Sequence, residues 1–152
     1  MKIEEEIRQS KFNSAKEKAL VNIIYTANAV EDAFKKSLKS HGISLPQYNV
    51  LRILKGRKDG YATCGDLKEV MLDKNPDVTR LCDKLVLKKM IVRSNNKNNR
   101  RQILLKISEK GLKTLDEIYP QFSTVNQLLS HIPDEQLESL SDTLDLIREN
   151  LK

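Results

Sequence analysis

The sequence predicts a mainly α-helical fold with one small β-hairpin, and three observations support this. Apolar residues recur every three or four positions over residues 17–40 and 134–147, which is the helical period. Over residues 102–107 they alternate instead, which is the period of a half-buried strand. Capping residues such as Ser44 stand just before several helical stretches. A chain of 152 residues fits one domain, or one domain with a dimerising extension.

The N-terminal part predicts one long helix behind a weakly anchored arm. Residues 1–16 have few apolar anchors, so we expect a short helix or a flexible arm. A helix is expected from about residue 17 to 40, with apolar residues at Leu20, Ile23, Ile24, Ala27, Val30, Phe34 and Leu38. Val21 and Tyr25 widen this stripe beyond one face, so the helix should contact more than one neighbour.

Two shorter helices are expected next. Ser44 caps the first, which has Pro46 in its first turn and runs to about Lys58. Thr63 caps the second, which runs from Gly65 to Leu72.

Another amphipathic helix follows. Asn75 is expected to cap it, with Pro76 at its first helical position. Its core face should hold Val78, Leu81, Cys82 and Leu85. Its outward positions are Asp77, Thr79, Arg80, Asp83 and Lys84. A helix with one exposed polar edge suits the major groove of duplex DNA.

A hairpin and two helices complete the chain. The strands are expected over Ile91–Ser94 and Gln102–Ile107, around a basic tip, NNKNNRR; the second places Ile103, Leu105 and Ile107 on one side. Ser108 caps a helix to about Ser130, which Pro120 should kink or divide. Pro133 opens a last helix whose apolar positions are Leu137, Leu140, Leu144 and Ile147.

Charge is segregated along the chain. Residues 44–108 hold 15 Lys+Arg and 6 Asp+Glu, a net charge of +9, whereas residues 109–152 hold 4 and 9, a net charge of −5. Basic charge concentrated on one segment is typical of a protein that binds a polyanion. The acidic C-terminal part is expected to face away from it.

Several other classes of protein find no support. No apolar run approaches the roughly 20 residues of a membrane span, and the N-terminus lacks a signal peptide's apolar core, so a cytoplasmic protein with no membrane partner is expected. Two cysteines without a CxxC spacing argue against a disulfide scaffold or a metal site. P-loop, GxSxG and HExxH motifs are absent and there are only two histidines, so we expect neither an enzyme nor a cofactor.

Four segments in order resemble the MarR family of winged-helix transcriptional regulators. They are ISLPQYNVLRIL with Gln47, DVTRLCDKL, NRRQILLKISEKG and IPDEQLESLSDTL. The resemblance covers nearly the whole chain and is strongest from Ile43 to Gly111. It implies a winged helix-turn-helix DNA-binding lobe over residues 44–108, an N-terminal dimerisation helix within 1–43 and C-terminal dimerisation helices within 109–152.

The resemblance also implies a homodimer in which the first helix and the last two intertwine. The terminal helices have apolar faces too broad for a small lobe to cover, which fits this arrangement. The dimerisation residues are then Leu20, Ile24, Leu137, Leu140, Leu144 and Ile147. The helix expected from Pro76 would be the recognition helix. Its two copies in the dimer would enter successive major grooves about 34 Å apart on a pseudo-palindromic operator in double-stranded DNA.

Candidate DNA contacts lie in three places. Those of the recognition helix are Lys74, Asn75, Pro76, Asp77, Thr79, Arg80 and Lys84. Those of the wing are Lys97, Asn99, Arg100 and Arg101, and Thr63 is a further one. Arg80 is expected to contact a base or a phosphate, and arginine in the wing suits a narrow minor groove. The alternative for each charged residue is a solvated surface, and one of the two wing arginines could instead be structural, facing the lobe across the strand.

Two residues depart from the family's pattern. Asn99 stands where the wing has an acid, so an ion pair to the following arginines is lost or becomes a neutral hydrogen bond. Asp77 stands where a small hydroxyl residue is commoner, and an acid facing DNA repels phosphates unless it accepts from a cytosine amino group. Both departures concern sequence preference rather than DNA binding itself.

Two further sites have a functional and a packing interpretation. Tyr25, His41 and Tyr48 could line a cleft for a small aromatic or phenolic effector, as in other members of the family. The alternatives are core packing for the two tyrosines and, for His41 at a helix C-terminus, a favourable contact with the helix dipole. Cys82 is expected to be a packed thiol, and Cys64 a structural residue or a redox-sensitive one.

These observations favour a homodimeric, sequence-specific DNA-binding transcriptional regulator. It would act as a repressor whose DNA affinity a small ligand modulates. One alternative is a winged-helix protein-interaction or architectural module without sequence-specific reading. The other is a thiol redox switch.

Overall fold

The computed structural model describes residues 1–9, 11–73, 76–96, 99 and 102–151, and only the backbone of residues 121–125. This part of the chain is mainly helical with one two-stranded antiparallel sheet, which confirms the predicted fold class. The elements are α1 Ile3–Glu6, α2 Ala15–Lys39, α3 Leu45–Gly56, α4 Cys64–Val70, α5 Val78–Leu87, β1 Ile91–Asn95, β2 Ile103–Ile107, α6 Glu109–Asn126 and α7 Asp134–Glu149.

One hydrophobic core joins the central lobe to two of the flanking helices. Its fully buried members include Val50, Leu51, Leu54, Leu67, Cys82, Leu85, Ile91 and Leu105 of the lobe. Leu38 at the end of α2 and Ile118 of α6 belong to the same cluster and are 0% exposed. The lobe therefore packs directly on the helices that enter and leave it.

The predicted arm contains the short helix α1, which is held against α2. Ile3 is buried. Lys18 Nζ lies 2.6 Å from Glu4 Oε1, and the Tyr25 hydroxyl donates to Glu6 Oε2 at 2.8 Å. The hydrogen bond from Lys18 is the main cause of the lowered pKa of Glu4.

Helices α3 and α4 begin at the predicted caps, and both have a reciprocal capping box. The Ser44 hydroxyl accepts from the Gln47 backbone N–H, and the Gln47 side chain accepts from the Ser44 N–H. Thr63 and Asp66 repeat this exchange at α4. The Thr63 backbone N–H, followed by its hydroxyl, lowers the pKa of Asp66.

The predicted start of the next helix was wrong by two residues. Helix α5 begins at Val78, and its N-cap is Asp77, whose Oδ1 accepts from the Arg80 backbone N–H at 3.0 Å. Pro76 therefore precedes the cap and is not the first helical residue. An aspartate is as good a cap as the asparagine we expected, so local sequence does not distinguish the two positions.

The hairpin pairs in a simple antiparallel register, from Ile91 opposite Ile107 to Asn95 opposite Ile103. Ala62 extends the sheet, because its N–H and C=O both bond Leu105. Leu105 is buried, whereas Ile103 is 48% exposed. The predicted apolar side of β2 is therefore buried at its centre, Leu105, and exposed at Ile103, towards the tip of the hairpin.

Gly111 lets α6 pass close to the segment that follows α5. A Cβ at this position would lie 2.2 Å from the Met90 carbonyl oxygen and 2.8 Å from Ile107 Cγ1. Ser108 caps this turn as predicted, with its hydroxyl accepting from the Gly111 N–H at 3.1 Å. Pro120 lies inside α6 without dividing it, so the alternative of two separate helices was wrong.

Helix α7 forms where it was predicted, with Pro133 at its N-cap, but it buries no side chain. Leu140 is 52% exposed and Leu146 62% exposed. Among the described residues, no helix is long and apolar enough to cross a membrane.

Candidate nucleic-acid interface

The outward face of α5 centres on Arg80. At about 100° per residue, the buried residues Val78, Cys82 and Leu85 lie on one side, and Arg80 lies almost directly opposite. Its side chain is exposed and belongs to no ion pair among the described residues. Within the described part of the chain, Arg80 is thus a cation without an ion-pair partner, on the face of α5 that points away from the core.

One flank of α5 is tied to the hairpin. Asp83 Oδ1 lies 2.5 Å from Arg93 Nη2, and Arg93 is on β1. Thr79, one turn before Asp83, is exposed on the same flank. This ion pair orients the hairpin relative to α5. Sequence reasoning missed Arg93, because nothing local indicates that a residue on a strand pairs with an outward helix residue.

The other flank of α5 is basic. Lys84 is exposed, and Lys88, one turn later, is partly buried. Lys88 Nζ donates to the Gly42 carbonyl at 2.5 Å and to Gln47 Oε1 at 3.1 Å. Lys88 thus links α5 to the start of α3. Lys84 and Lys88 are four positions apart, which places them on the same face of a helix. This spacing could have predicted the basic flank from the sequence.

Asp77 and Thr63 have local structural roles. Both accept a hydrogen bond from the first turn of a helix, α5 and α4 respectively. The Asp77 carboxylate is exposed and serves as a cap, which gives a reason for an acid at this position. Because the cap alone accounts for this acid, Asp77 gives no support to the alternative of a protein-interaction module.

The basic tip of the wing is only partly described. The candidate contacts outside the described residues are Lys97, Arg100 and Arg101 of the wing, and also Lys74 and Asn75, which precede α5. Asn99 is exposed, and its backbone carbonyl accepts from the Gln102 N–H at 2.9 Å. The Asn96 backbone N–H donates to the Gln102 carbonyl at 3.0 Å, and the Asn96 side-chain amide donates to Gln102 Oε1 at 2.8 Å. These two hydrogen bonds close the base of the tip.

The two cysteines are neighbours, one at the start of α4 and one inside α5. Cys82 is fully buried, and burial, together with the nearby Cys64 thiol, raises the pKa of Cys82 to about 12. At neutral pH Cys82 is therefore protonated and poorly nucleophilic. Cys64 is partly buried against the core.

A cavity of about 580 Å³ lies between α2, α3 and α6, and we call it the aromatic cavity. Its lining includes Phe34, Tyr48, Asn49, Arg52, Leu72 and Tyr119. Of the three predicted cleft residues, Tyr48 lines it. The Tyr25 hydroxyl instead donates to Glu6, and His41 Nδ1 lies 3.9 Å from Glu117 Oε2. Arg52 and Tyr119 were not predicted, since only packing brings α3 and α6 together.

Comparison with known proteins connects this geometry to transcription. The family model described as transcriptional regulator SarA/Rot matches residues 32–118. The HTH-type transcriptional regulator MhqR of Bacillus subtilis is 25% identical over 140 residues, which are 90% of this chain and 95% of MhqR.

Solved structures show the same fold. The organohalide-sensing regulator RdhR in its 2,4-dichlorophenol-bound form superposes with a TM-score of 0.80 at 21% identity, over 93% of this chain and 86% of RdhR. A MarR variant from Escherichia coli complexed with operator DNA gives a TM-score of 0.72 at 22% identity, over 85% of this chain and 93% of that one.

Proposed function

The chain belongs to the SarA/Rot family of transcriptional regulators and has the MarR winged-helix fold, and from this we propose that it is a homodimeric repressor that reads a pseudo-palindromic operator. The observation that carries the proposal is the position of Arg80, which is exposed at the centre of the outward face of α5 and has no ion-pair partner among the described residues. Arginine pairs with a guanine edge through two parallel hydrogen bonds, which suits a residue that reads sequence.

The surroundings of Arg80 support this role. Residues 44–108, which form α3, α4, α5 and the hairpin, carry a net charge of +9, so the lobe attracts phosphate. The Asp83–Arg93 pair holds the hairpin beside α5, where its tip would reach the neighbouring minor groove. A protein bound there would block access of polymerase to the promoter, and this is the proposed basis of repression.

Fluorescence anisotropy tests the proposal with the duplex upstream of the protein's own gene and a scrambled duplex of equal length. We expect binding at least about 10³-fold tighter to the first duplex. If the dimer touches about eight phosphates, log K should fall against log salt with a slope near −7. Equal affinity for both duplexes would contradict sequence-specific reading of this operator.

The Arg80→Ala variant tests the base contact. We expect it to weaken specific binding by about 1–3 kcal/mol and to bring the two duplexes closer in affinity. The Arg148→Ala variant removes the same charge from the acidic C-terminal part, where Arg148 pairs with Asp145, and is the control for net charge. If both variants lose equal affinity, Arg80 does not read a base.

We also propose that a small hydroxyaromatic compound in the aromatic cavity releases DNA. The cavity has aromatic walls at Phe34, Tyr48 and Tyr119 and a guanidinium at Arg52, which suits an ionised phenol. The halophenol bound to RdhR, a protein of the same fold, supports this choice. The cavity borders α3 of the DNA-binding lobe, so a ligand there would shift the lobe relative to α2 and α6.

Titration with 2,4-dichlorophenol tests the ligand proposal. We expect it to lower the affinity of the wild-type protein for the operator duplex, and to do so less effectively for Arg52→Met. Lys58→Met, an exposed lysine that does not line the aromatic cavity, is the control. An unchanged DNA affinity at saturating phenol would contradict release by this class of ligand.

A further inference from the structure

Four lysines surround a shallow cavity on the flank of α5 that faces away from the hairpin. They are Lys35 and Lys39 of α2, Lys84 of α5, and Lys88, which directly follows α5. The cavity has a volume of about 430 Å³, and the buried Gln47 forms part of its wall. We call this site the lysine trough.

The lysines of the trough differ in whether their charge is available. Lys35 is paired with Glu31 at 3.0 Å and with Asp32 at 3.3 Å, which raises its pKa and neutralises its charge locally. Lys88 donates to Gly42 and Gln47 and so fixes the wall. Lys39 and Lys84 are exposed and have no ion-pair partner in the described part of the chain. Two ammonium groups that pair with no described carboxylate therefore border the trough.

The position of the trough relative to α5 indicates what these ammonium groups meet. Counting about 100° per residue, Asp83 and Lys84 lie about 50° to either side of the direction opposite the core. The Asp83 side carries the hairpin through Arg93, and the Lys84 side carries the trough. A helix in the major groove has a phosphate backbone on each side, because the groove is only about 12 Å wide. The hairpin can reach one of these backbones, and the trough lies towards the other.

We propose that the lysine trough binds backbone phosphates of the DNA strand on the side of α5 away from the wing, with Lys39 as a contact contributed by α2. This inference rests on the proposed function, because it requires α5 to enter the major groove. It extends the DNA interface beyond the helix-turn-helix and wing to a helix that otherwise packs on α1, α3 and α6. Contacts to phosphate position a protein on DNA and carry no sequence information themselves.

The test compares Lys39→Met with Lys36→Met by anisotropy on the operator and scrambled duplexes. Both substitutions remove one positive charge from the last turns of α2, but Lys36 does not line the trough. Methionine keeps an unbranched apolar stem, and both lysines are exposed, so neither variant should disturb the fold. For each Lys39 that contacts a phosphate, the substitution should make the slope of log K against log salt shallower by about 0.9. The affinity at 0.1 M salt should then fall about eightfold.

The loss in Lys39→Met should be the same for both duplexes, since a phosphate contact weakens binding uniformly. Lys36→Met should keep the wild-type slope. If wild-type protein binds duplex DNA and the two variants have equal slopes, the trough does not hold phosphate and the inference fails alone. If wild-type protein binds no duplex, the proposed function itself has failed.

A small anion is the competing occupant. Inorganic phosphate, titrated at constant ionic strength, would then shift the backbone amide resonances of Gly42 and Ser44, which line the trough. Such shifts, together with an unchanged salt slope in Lys39→Met, would assign the trough to a free anion and overturn its role in DNA binding.

Discussion

At the scale of the residue, Gly111 has the least room for a side chain among the five glycines, since an added Cβ would lie 2.2 Å from the Met90 carbonyl oxygen. The helix that carries it, α6, passes directly over the Met90 carbonyl, and the Ser108 N–H donates to that same oxygen at 3.0 Å. A helical glycine without such a close neighbour would leave room for a side chain. The SEKG segment that supported the family resemblance therefore has a steric reason to end in glycine.

Gly111→Ala should destabilise the protein by at least about 1–3 kcal/mol, because its Cβ would meet backbone that cannot move aside. Gly56→Ala is the matched control: a Cβ there has no neighbour within 4 Å, so alanine should be neutral or stabilise by up to about 1 kcal/mol. Urea unfolding followed by circular dichroism measures both. Equal stability of the two variants would contradict the close approach.

At the scale of the element, the start of α5 determines how its outward face is presented. Asp77, rather than Asn75, supplies the cap, so the first turn runs from Val78 and Arg80 lies within it. The Asp77 carboxylate also interacts favourably with the positive, N-terminal end of the helix dipole. The cost of this choice is a negative charge on the face proposed to meet phosphates.

Two substitutions at Asp77 separate its roles. Asp77→Ala removes the cap and should lower the free energy of unfolding by about 0.5–2 kcal/mol, whereas Asp77→Asn keeps a capping oxygen and should cost little. Both remove the negative charge, so both should bind scrambled duplex more tightly than wild type. Thermal unfolding and anisotropy measure the two effects. A stability loss of equal size in both variants would show that the cap is not the source of stabilisation.

At the scale of the whole molecule, the ends of the chain leave apolar surface uncovered. Leu20 and Ile24 of α2 are 57% and 62% exposed, and α7 has no buried side chain. Of the other predicted dimerisation residues, Leu140 is exposed and Leu137, Leu144 and Ile147 are partly buried. Leu146 and Leu151, which sequence reasoning did not select, are also exposed. Apolar surface on elements so far apart in sequence supports the proposed dimer.

Ile24→Glu should convert the proposed dimer to monomer and reduce operator binding, since a single lobe makes half of the contacts. Sedimentation velocity measures the assembly state. Thr26→Glu is the control, because Thr26 is exposed on the opposite face of α2. Ile24 is 62% exposed, so its replacement should leave the fold intact. A dimer that persists in Ile24→Glu would place the interface elsewhere.

Local patterns predicted most of the elements and part of the candidate site. The caps Ser44, Thr63 and Ser108 were confirmed, because a cap and the residues it bonds lie within three positions of each other. The start of α5 was wrong, because Asn75 and Asp77 are equally good caps by local chemistry. The exposed positions of Thr79, Arg80 and Lys84 were confirmed, since helical periodicity alone determines which side of α5 they occupy.

By itself, then, the sequence determined which segments are helical, where charge accumulates and which face of α5 carries Arg80, since these depend on neighbours three or four residues apart. The tertiary structure alone decided the pairing of Asp83 with Arg93, the link from Lys88 to Gln47, the lining of the aromatic cavity and the place of Lys39 beside α5. Each of these joins residues from different elements, and their proximity follows from how the helices pack around the shared core rather than from any local preference.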